Sequence, residues 1–154
     1  MTDLRFFDAD EFGESWDVMS ARLLVLLDVL RWQWGAAFHL SPHPRALARY
    51  DGRDDDSEHN VDRWGECRAC DGFPAWILTR YDARRLVRLA TRIGFTGIGI
   101  YPHWRFDART RIAGVHLDSR TNRPVGEPAL WGAVDDGNGQ RYVGIDEAIG
   151  RIAA

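Results

Sequence analysis

The sequence contains no lysine, because all 20 of its basic residues are arginine. Lysine chemistry, such as a Schiff base or a phosphate-loop lysine, is therefore excluded. Only two cysteines occur, so no disulfide framework is expected. No apolar run approaches the ~20 residues that span a bilayer. The net charge of −3 lacks the basic excess typical of nucleic-acid-binding proteins. We therefore expect neither a membrane nor a nucleic-acid partner.

The length of the chain bounds its organisation. Its 154 residues suit one compact domain, and a chain of this size buries about 68–70% of its unfolded surface. We expect a single domain over residues 1–154 and predict a monomer. Residues 1–14 are predicted to be a loosely ordered N-terminal arm. Their acidic sequence, MTDLRFFDADEF, is not that of a signal peptide.

Apolar periodicity and turn residues predict two main helices and several short strands. The first helix runs over residues 16–34 with Ser15 or Asp17 as its cap and Gly35 as its stop; the second spans 83–93 between Asp82 and Gly94. Strands are predicted at 36–40, 68–71, 97–102, 114–120 and 142–144, before a last helical turn. Helices and strands do not alternate regularly, which favours an α+β domain with a small antiparallel sheet and flanking helices.

Two local features stand out in this pattern. Gly97 and Gly99 weaken the strand at 97–102 unless something packs close to its backbone. The polar stretch 41–60 is a long loop, and long loops inside small domains tend to be functional.

Two of the five histidines lie among other potential metal ligands. His59 belongs to SEHNVDRWGECRACD (57–71), and His116 belongs to GVHLDSR (114–120). On a strand, His116 and Asp118 point to the same face. His59, Asp71 and His116 can converge from a loop and two strands, and a catalytic zinc site uses three such ligands and one open position. The alternative is that these are ordinary surface histidines.

The cysteines offer a competing site. Cys67 and Cys70 form a C-x-x-C pair, a spacing found in zinc and thiol-exchange sites. If the strand extends over 67–71, residues three apart face opposite sides, so both thiols cannot reach one metal ion. Two small buried apolar side chains are the other interpretation.

The ordered motifs resemble a known family, the zinc D-Ala-D-Ala carboxypeptidases and L-alanyl-D-glutamate endopeptidases, which share a fold with the hedgehog signalling domain. The family carries Ser-x-His, then Ala-x-Asp, a glycine-rich run ending in Tyr-Pro, and His-x-Asp. This chain has Ser57-Glu-His59, Ala69-Cys-Asp71, Gly97-Ile-Gly-Ile-Tyr-Pro102 and His116-Leu-Asp118, followed by Trp131. The resemblance implies a hedgehog/DD-peptidase-like fold and a catalytic zinc held by His59, Asp71 and His116.

The sequence departs from the family pattern at two places. The family places its first His and its Asp seven residues apart, whereas His59 and Asp71 are twelve apart. Many members have an acidic general base three residues before the last His, where this chain has Ala113. His103 and Asp118 are therefore the candidates for proton transfer, with Asp118 also able to orient His116.

The resemblance also implies a substrate and a setting. It predicts a zinc peptidase that hydrolyses peptidoglycan stem peptides, with Arg45 or Arg49 binding a substrate carboxylate. Ser57 is expected either to bond the substrate or to begin the turn that presents His59, and Tyr101 either to line the cleft or to belong to the core. A cell-wall enzyme without a signal peptide fits a phage lysin that stays in the host cytoplasm until release, or a virion-associated enzyme. The alternative is a phage virion or binding module that keeps the fold without the activity.

Overall fold

The computed structural model describes residues 4–74 and 79–152 and shows a mixed α+β domain, as predicted. In chain order its elements are a 3₁₀ segment (Ala9–Val18), α1 (Ala21–Trp34), β1 (Phe38–Leu40), α2 (Val61–Trp64), β2 (Ala69–Pro74), α3 (Arg80–Ile93), β3 (Gly97–Arg105), β4 (Arg111–Asp118), β5 (Ala129–Asp135), β6 (Gln140–Val143) and α4 (Ile145–Gly150). Across these two described ranges, no helix has the length and apolar character that crossing a bilayer requires.

The sheet has six strands in the order β1-β2-β4-β3-β5-β6. Four of its neighbouring pairs are antiparallel, but β3 and β5 run parallel. The prediction of a small, wholly antiparallel sheet is therefore wrong. The sequence analysis had no strand at β5, where Trp131 and Gly132 interrupt a simple apolar alternation, and β5 is the strand that extends the sheet and makes it mixed.

The two faces of the sheet differ in chemistry because side chains alternate along each strand. On one face, Ile98, Ile100, Val115 and Leu117 are fully buried in one apolar cluster with the leucines of α1 and α3. The residues between them on β3 and β4 include Gly97, Gly99, His116 and Asp118. The helices thus cover one face of the central strands, and the polar residues of the predicted site occupy the other.

The N-terminal segment is packed rather than loose. Phe7 and Phe12 are buried in the core, and Asp28 accepts the backbone N–H groups of Phe6 and Phe7 at 2.7 and 3.1 Å. Arg31 also pairs with Glu11 at 2.6 Å. The expectation of a loosely ordered arm over residues 1–14 is therefore corrected for the described part, because two aromatic side chains anchor it.

Both main helices end as predicted but begin elsewhere. Gly35 and Gly94 adopt positive φ angles of 74° and 115° at the helix ends, a conformation that glycine favours. The first helix starts only at Ala21, since Met19 is extended and forms a β-bridge with Cys67. At the second, the Thr79 hydroxyl caps the helix by accepting the Asp82 N–H at 3.1 Å.

Candidate metal centre

The strand register places the candidate ligands in one row across the sheet. Asp71 of β2 lies opposite His116 of β4, which lies opposite Gly99 of β3, which in turn lies opposite Trp131 of β5. Neighbouring strands are about 4.8 Å apart, so side chains in such a row meet directly. Two of the three predicted ligands are therefore brought together by β-sheet pairing alone.

The third ligand comes from the ordered end of the long loop. The His59 N–H donates to Ser57 Oγ at 3.3 Å, and its carbonyl accepts the Arg49 N–H at 2.9 Å. The Asn60 side chain donates to the carbonyls of Gly52 and Asp55 at 2.6 and 2.8 Å. These bonds hold the loop so that His59, which is almost fully buried, reaches the row on the sheet.

The three ligand atoms form a small triangle. His59 Nε2 lies 3.2 Å from Asp71 Oδ1 and 3.3 Å from His116 Nδ1, and the third side, from His116 Nδ1 to Asp71 Oδ1, is 2.9 Å. Zinc–ligand bonds of about 2.0–2.1 Å in tetrahedral geometry place neighbouring ligand atoms about 3.3 Å apart. The triangle therefore has the size of one face of a zinc coordination tetrahedron.

The outer nitrogens of both imidazoles are committed to acceptors. His59 Nδ1 donates to the Leu47 carbonyl at 2.8 Å, and His116 Nε2 donates to Asp118 Oδ2 at 3.1 Å. In the neutral rings these partners place the protons on His59 Nδ1 and His116 Nε2, so that His59 Nε2 and His116 Nδ1 each direct a lone pair inward. Metal-binding histidines are oriented by this kind of outer hydrogen bond.

The inward side of the triangle needs a positive charge. It presents two imidazole lone pairs and the Asp71 carboxylate, all of which are acceptors. Burial by itself lowers the pKa of His116, but its hydrogen bonds to Asp118 and Asp71 outweigh burial and raise that pKa to about 9. Without a metal the site thus retains a proton, and a divalent cation can replace it. The residues present fit a metal ion.

The other two ligands are tuned toward their metal-binding states. Burial lowers the pKa of His59, which favours the neutral ligating form. Burial acts to raise the pKa of Asp71, but its close contacts with His59 and His116 hold that pKa below its usual value. Asp71 is therefore a carboxylate at neutral pH.

Asp118 supports the site from behind His116. Its side chain has no exposed surface, and the Arg120 Nε donates to its Oδ1 at 2.9 Å. Arg120 in turn lies over the indole of Trp131, 5.1 Å from the ring centroid. The Asp118 carboxylate therefore orients His116 while Arg120 balances its charge.

Gly97 and Gly99 make room for these side chains, as the sequence analysis anticipated. A methyl group at Gly97 would overlap the Asp118 carboxylate, and one at Gly99 would lie 2.6 Å from Trp131 Cε2. The glycines in this strand are therefore required by the close approach of site side chains to the β3 backbone.

We expect Gly97→Ala to destabilise both the fold and the metal centre. The new methyl group displaces a carboxylate that His116 and Arg120 hold in place, so urea unfolding should show a loss of about 1–3 kcal/mol. Metal affinity should fall roughly 10–100-fold because His116 loses its oriented partner. Gly150→Ala is the matched control, since no atom lies within 4 Å of the added methyl group there. Equal behaviour of the two variants would contradict this account of Gly97.

A cleft of about 950 Å³ opens over the ligand triangle. Its lining is polar and aromatic, and consists of Ser41, His43, Arg45, Arg49, Asp55, Asp56, Ser57, Glu58, His59, Asp71, Tyr101, Trp104, Arg105, His116, Arg120, Trp131, Gln140 and Tyr142. The four residues predicted to contact substrate, Arg45, Arg49, Ser57 and Tyr101, are all among them.

The two predicted carboxylate-binding arginines differ in their surroundings. Arg45 forms a two-pronged ion pair with Asp51, at 2.9 and 2.7 Å. The Arg49 Nε donates to the Arg45 carbonyl at 2.6 Å, and its Nη2 lies 3.8 Å from Asp71 Oδ2. Arg49 is therefore the one that faces the metal centre, whereas Arg45 is engaged by an acidic neighbour.

Aromatic side chains form the floor next to the ligands. Tyr101 stacks on Trp104 with ring centroids 3.9 Å apart, and its hydroxyl accepts the Trp131 Nε1–H at 3.3 Å. Trp131 lies against His116, at 5.2 Å between ring centroids. This packing fixes the His116 ring and gives the cleft an apolar surface.

The two predicted proton-transfer residues do not face the cleft. His103 is exposed and lines a separate cavity of about 130 Å³, and Asp118 lies behind His116. Ala113, at the position of the family's acidic residue, is buried in the apolar cluster on the helix side of the sheet. Asp118 therefore contacts His116 where the positioning alternative expects it, and His103 lies outside the cleft over the metal centre.

Glu58, Trp104 and Arg105 are among the cleft residues that were not predicted from the sequence. Glu58 is nine-tenths buried beside His59, and its Oε2 lies 2.8 Å from Arg68 Nη2. Burial raises the pKa of Glu58 even though the positive charge of Arg68 acts to lower it. Trp104 and Arg105 lie at the end of β3. Glu58 lies inside the Ser57-Glu-His59 motif and can be identified from the sequence, whereas Trp104 and Arg105 lie beyond the expected strand end at 102.

The cysteines are buried in the core and away from the ligand triangle. Cys67 precedes β2 rather than lying within it, and its thiol donates to the Ala69 carbonyl. Burial raises the pKa of Cys67 to about 12 and that of Cys70 well above its usual value. Both thiols therefore stay protonated at neutral pH, which favours the interpretation as small apolar side chains.

We expect the double variant Cys67→Ser, Cys70→Ser to keep its metal stoichiometry. Each hydroxyl placed in this apolar environment should reduce the free energy of unfolding by about 1–3 kcal/mol. Metal content by elemental analysis and urea unfolding measure the two effects, and the double alanine variant controls for loss of the thiols alone. A folded serine variant that has lost its metal would identify the cysteines as ligands.

Comparisons with protein-family models, with curated proteins and with solved structures find no match for this chain. Within residues 4–74 and 79–152, His59, Asp71 and His116 are the group of potential ligands whose donor atoms lie within 4.8 Å of one another. The case for a metal centre therefore stands on this geometry.

Proposed function

We propose that this protein is a zinc-dependent peptidase that hydrolyses peptide bonds in bacterial peptidoglycan stem peptides and is encoded by a phage. The single observation that carries the proposal is the triangle of His59 Nε2, Asp71 Oδ1 and His116 Nδ1, with edges of 2.9–3.3 Å, below an open cleft. The motif order that resembles the zinc D-Ala-D-Ala carboxypeptidases and L-alanyl-D-glutamate endopeptidases supports the reaction and the substrate class, with a hedgehog/DD-peptidase-like fold.

The donor set favours zinc over other common ions. Imidazole nitrogens suit zinc, copper, iron and nickel, whereas magnesium and calcium prefer all-oxygen sites. Two histidines, one carboxylate and an open position form the ligand set of zinc hydrolases. Bound there, zinc would supply Lewis-acid polarisation of a carbonyl and a lowered pKa for a water molecule.

The chain's own residues would hold and orient the reactants. Asp118 keeps the His116 lone pair directed inward, and Arg49 sits beside Asp71 at the cleft, where it can bind a substrate carboxylate. Tyr101 and Trp131 provide an apolar wall that reduces water access next to the ligands. The Ser57 hydroxyl accepts the His59 N–H and so positions His59. We therefore assign Ser57 a role in holding the loop rather than in contacting substrate.

A second candidate is a phage virion or binding module that retains the metal centre without peptidase activity. The observation in its favour is the apolar residue Ala113, which lies in the core where many relatives of the resembled family carry the acidic general base. In either case the setting is a phage protein that acts after release from the host or as part of the virion.

Activity on a defined peptide separates the two candidates. The purified chain is incubated with an N-acetylated stem pentapeptide in two states, loaded with zinc and stripped of zinc by a chelator. Fragments are identified by mass spectrometry. A peptidase releases fragments in the zinc-loaded state only, and re-addition of zinc restores the reaction. A chain that binds about one zinc and releases no fragment supports the binding module instead.

A further inference from the structure

The cleft continues beyond the metal centre along β3. Gly99 lies in the ligand row, and Tyr101, Trp104 and Arg105 follow it along the strand and line the cleft. The smaller cavity of about 130 Å³ shares Tyr101, Trp104, Arg105 and Gln140 with the main cleft. The two cavities therefore adjoin at the end of β3, where Arg105 follows the aromatic residues Tyr101 and Trp104 along the strand.

The distance along this strand bounds the size of a ligand that contacts both ends. Arg105 lies six positions after Gly99, so their backbones are at most about 20 Å apart. A bulge between Tyr101 and Trp104 shortens this distance. An extended peptide covers about 3.3–3.6 Å per residue, so the same span holds up to about six residues. A terminal dipeptide at the metal centre does not reach Arg105.

Charge pairing distinguishes Arg105 from the arginines beside the metal centre. Each of those faces a carboxylate: Arg45 faces Asp51, Arg49 faces Asp71, and Arg120 faces Asp118. The Arg105 side chain is exposed and makes no ion pair or hydrogen bond with any residue that the structure describes. Its guanidinium is therefore available to an anionic ligand, and a planar guanidinium binds carboxylates with two parallel hydrogen bonds.

We propose that Arg105 determines specificity by binding a carboxylate of the substrate several residues from the bond that is cut. The substrate is then an extended acidic peptide whose aliphatic side chains lie on Tyr101 and Trp104, rather than a short terminal dipeptide. This inference rests on the proposed peptidase function but concerns binding. Hydrolysis itself adds one water across the peptide bond, forming a C–O bond, breaking the C–N bond and protonating the leaving amine, and Arg105 takes no part in it.

The test compares two peptides and two arginine variants. The probes are N-acetyl-L-Ala–γ-D-Glu–L-Lys–D-Ala–D-Ala and the same peptide with its carboxylates converted to amides. Their dissociation constants are measured with the chelator-treated full chain, so that no hydrolysis intervenes. KM and kcat are then measured with the zinc-loaded chain. Arg105→Gln is compared with Arg109→Gln, a matched control that is exposed in the β3–β4 turn and lines neither cavity.

We expect Arg105→Gln to weaken binding of the acidic peptide about tenfold or more, since a hydrogen-bonded charge pair is lost. KM should rise by a similar factor with kcat unchanged, the amidated peptide should be insensitive to the substitution, and Arg109→Gln should behave as the parent. Equal binding of the acidic peptide by the parent and Arg105→Gln, or equal losses on both peptides, would overturn the inference. Charge-dependent binding at Arg105 with no hydrolysis would instead overturn the proposed function and leave this contact supported.

Discussion

Replacing His116 with alanine is expected to reduce the metal content from about one zinc per chain to nearly none, because a protein zinc site needs three or four ligands and two remain. The hydrolysis of stem peptides should be lost with it. Elemental analysis after dialysis against buffered zinc measures the first effect, and fragment release measures the second. His116 supplies the inward Nδ1 that lies 2.9 Å from Asp71 Oδ1, and the substitution removes this one of the three ligand atoms.

His39→Ala is the matched control for this experiment, since His39 is an exposed histidine on β1 outside the cleft. It should keep its zinc and its activity. Circular dichroism and thermal unfolding establish that both variants are folded. A folded His116→Ala protein that retains full zinc occupancy would show that the metal site lies elsewhere in the chain.

Asp118→Asn is expected to weaken zinc binding roughly 10–100-fold while leaving the stoichiometry at saturating zinc unchanged. The amide has nearly the shape of the carboxylate but carries no charge, so the His116 Nε2–H loses an anionic partner and Arg120 loses its counter-ion. Competition with a chromogenic chelator gives the affinity of the parent and the variant under the same buffer conditions.

Asp54→Asn changes the net charge by the same amount at an exposed position outside the cleft and serves as the control. Its zinc affinity should equal that of the parent. A positioning role for Asp118 also predicts that turnover at saturating zinc falls less than affinity does. Unchanged affinity combined with a large loss of turnover would return Asp118 to the proton-transfer role that the sequence analysis considered.

The sequence by itself determined the identity of the ligand triangle and several features of the backbone around it. The family resemblance implies His59, Asp71 and His116 as the zinc ligands, residue types that suit zinc, and the structure brings their donor atoms within 3.3 Å of one another. Gly35 and Gly94 were expected helix ends, since glycine adopts positive φ at low cost. The two helix ends have a local physical cause, which lies in the residue type itself, whereas the ligand triangle also needs the pairing of β2 with β4.

Other features depended on contacts between segments distant in the chain. The parallel pairing of β5 with β3 makes the sheet mixed and places Trp131 opposite Gly99 in the ligand row. Phe7 and Phe12 order the N-terminal segment only because the core accepts them. Neither local propensity nor apolar periodicity predicts which strand a segment pairs with or which part of the core it packs into.

The division of roles within the site was also decided by tertiary structure. Asp118 lies behind His116, His103 lies outside the cleft, and Arg105 is placed at its far end without an acidic partner among the described residues. Residue type and strand alternation predicted that His116 and Asp118 share a face, but not which of them meets the cleft. That outcome depends on side-chain packing across neighbouring strands, where Gly97 leaves space for Asp118 and Gly99 leaves space for Trp131.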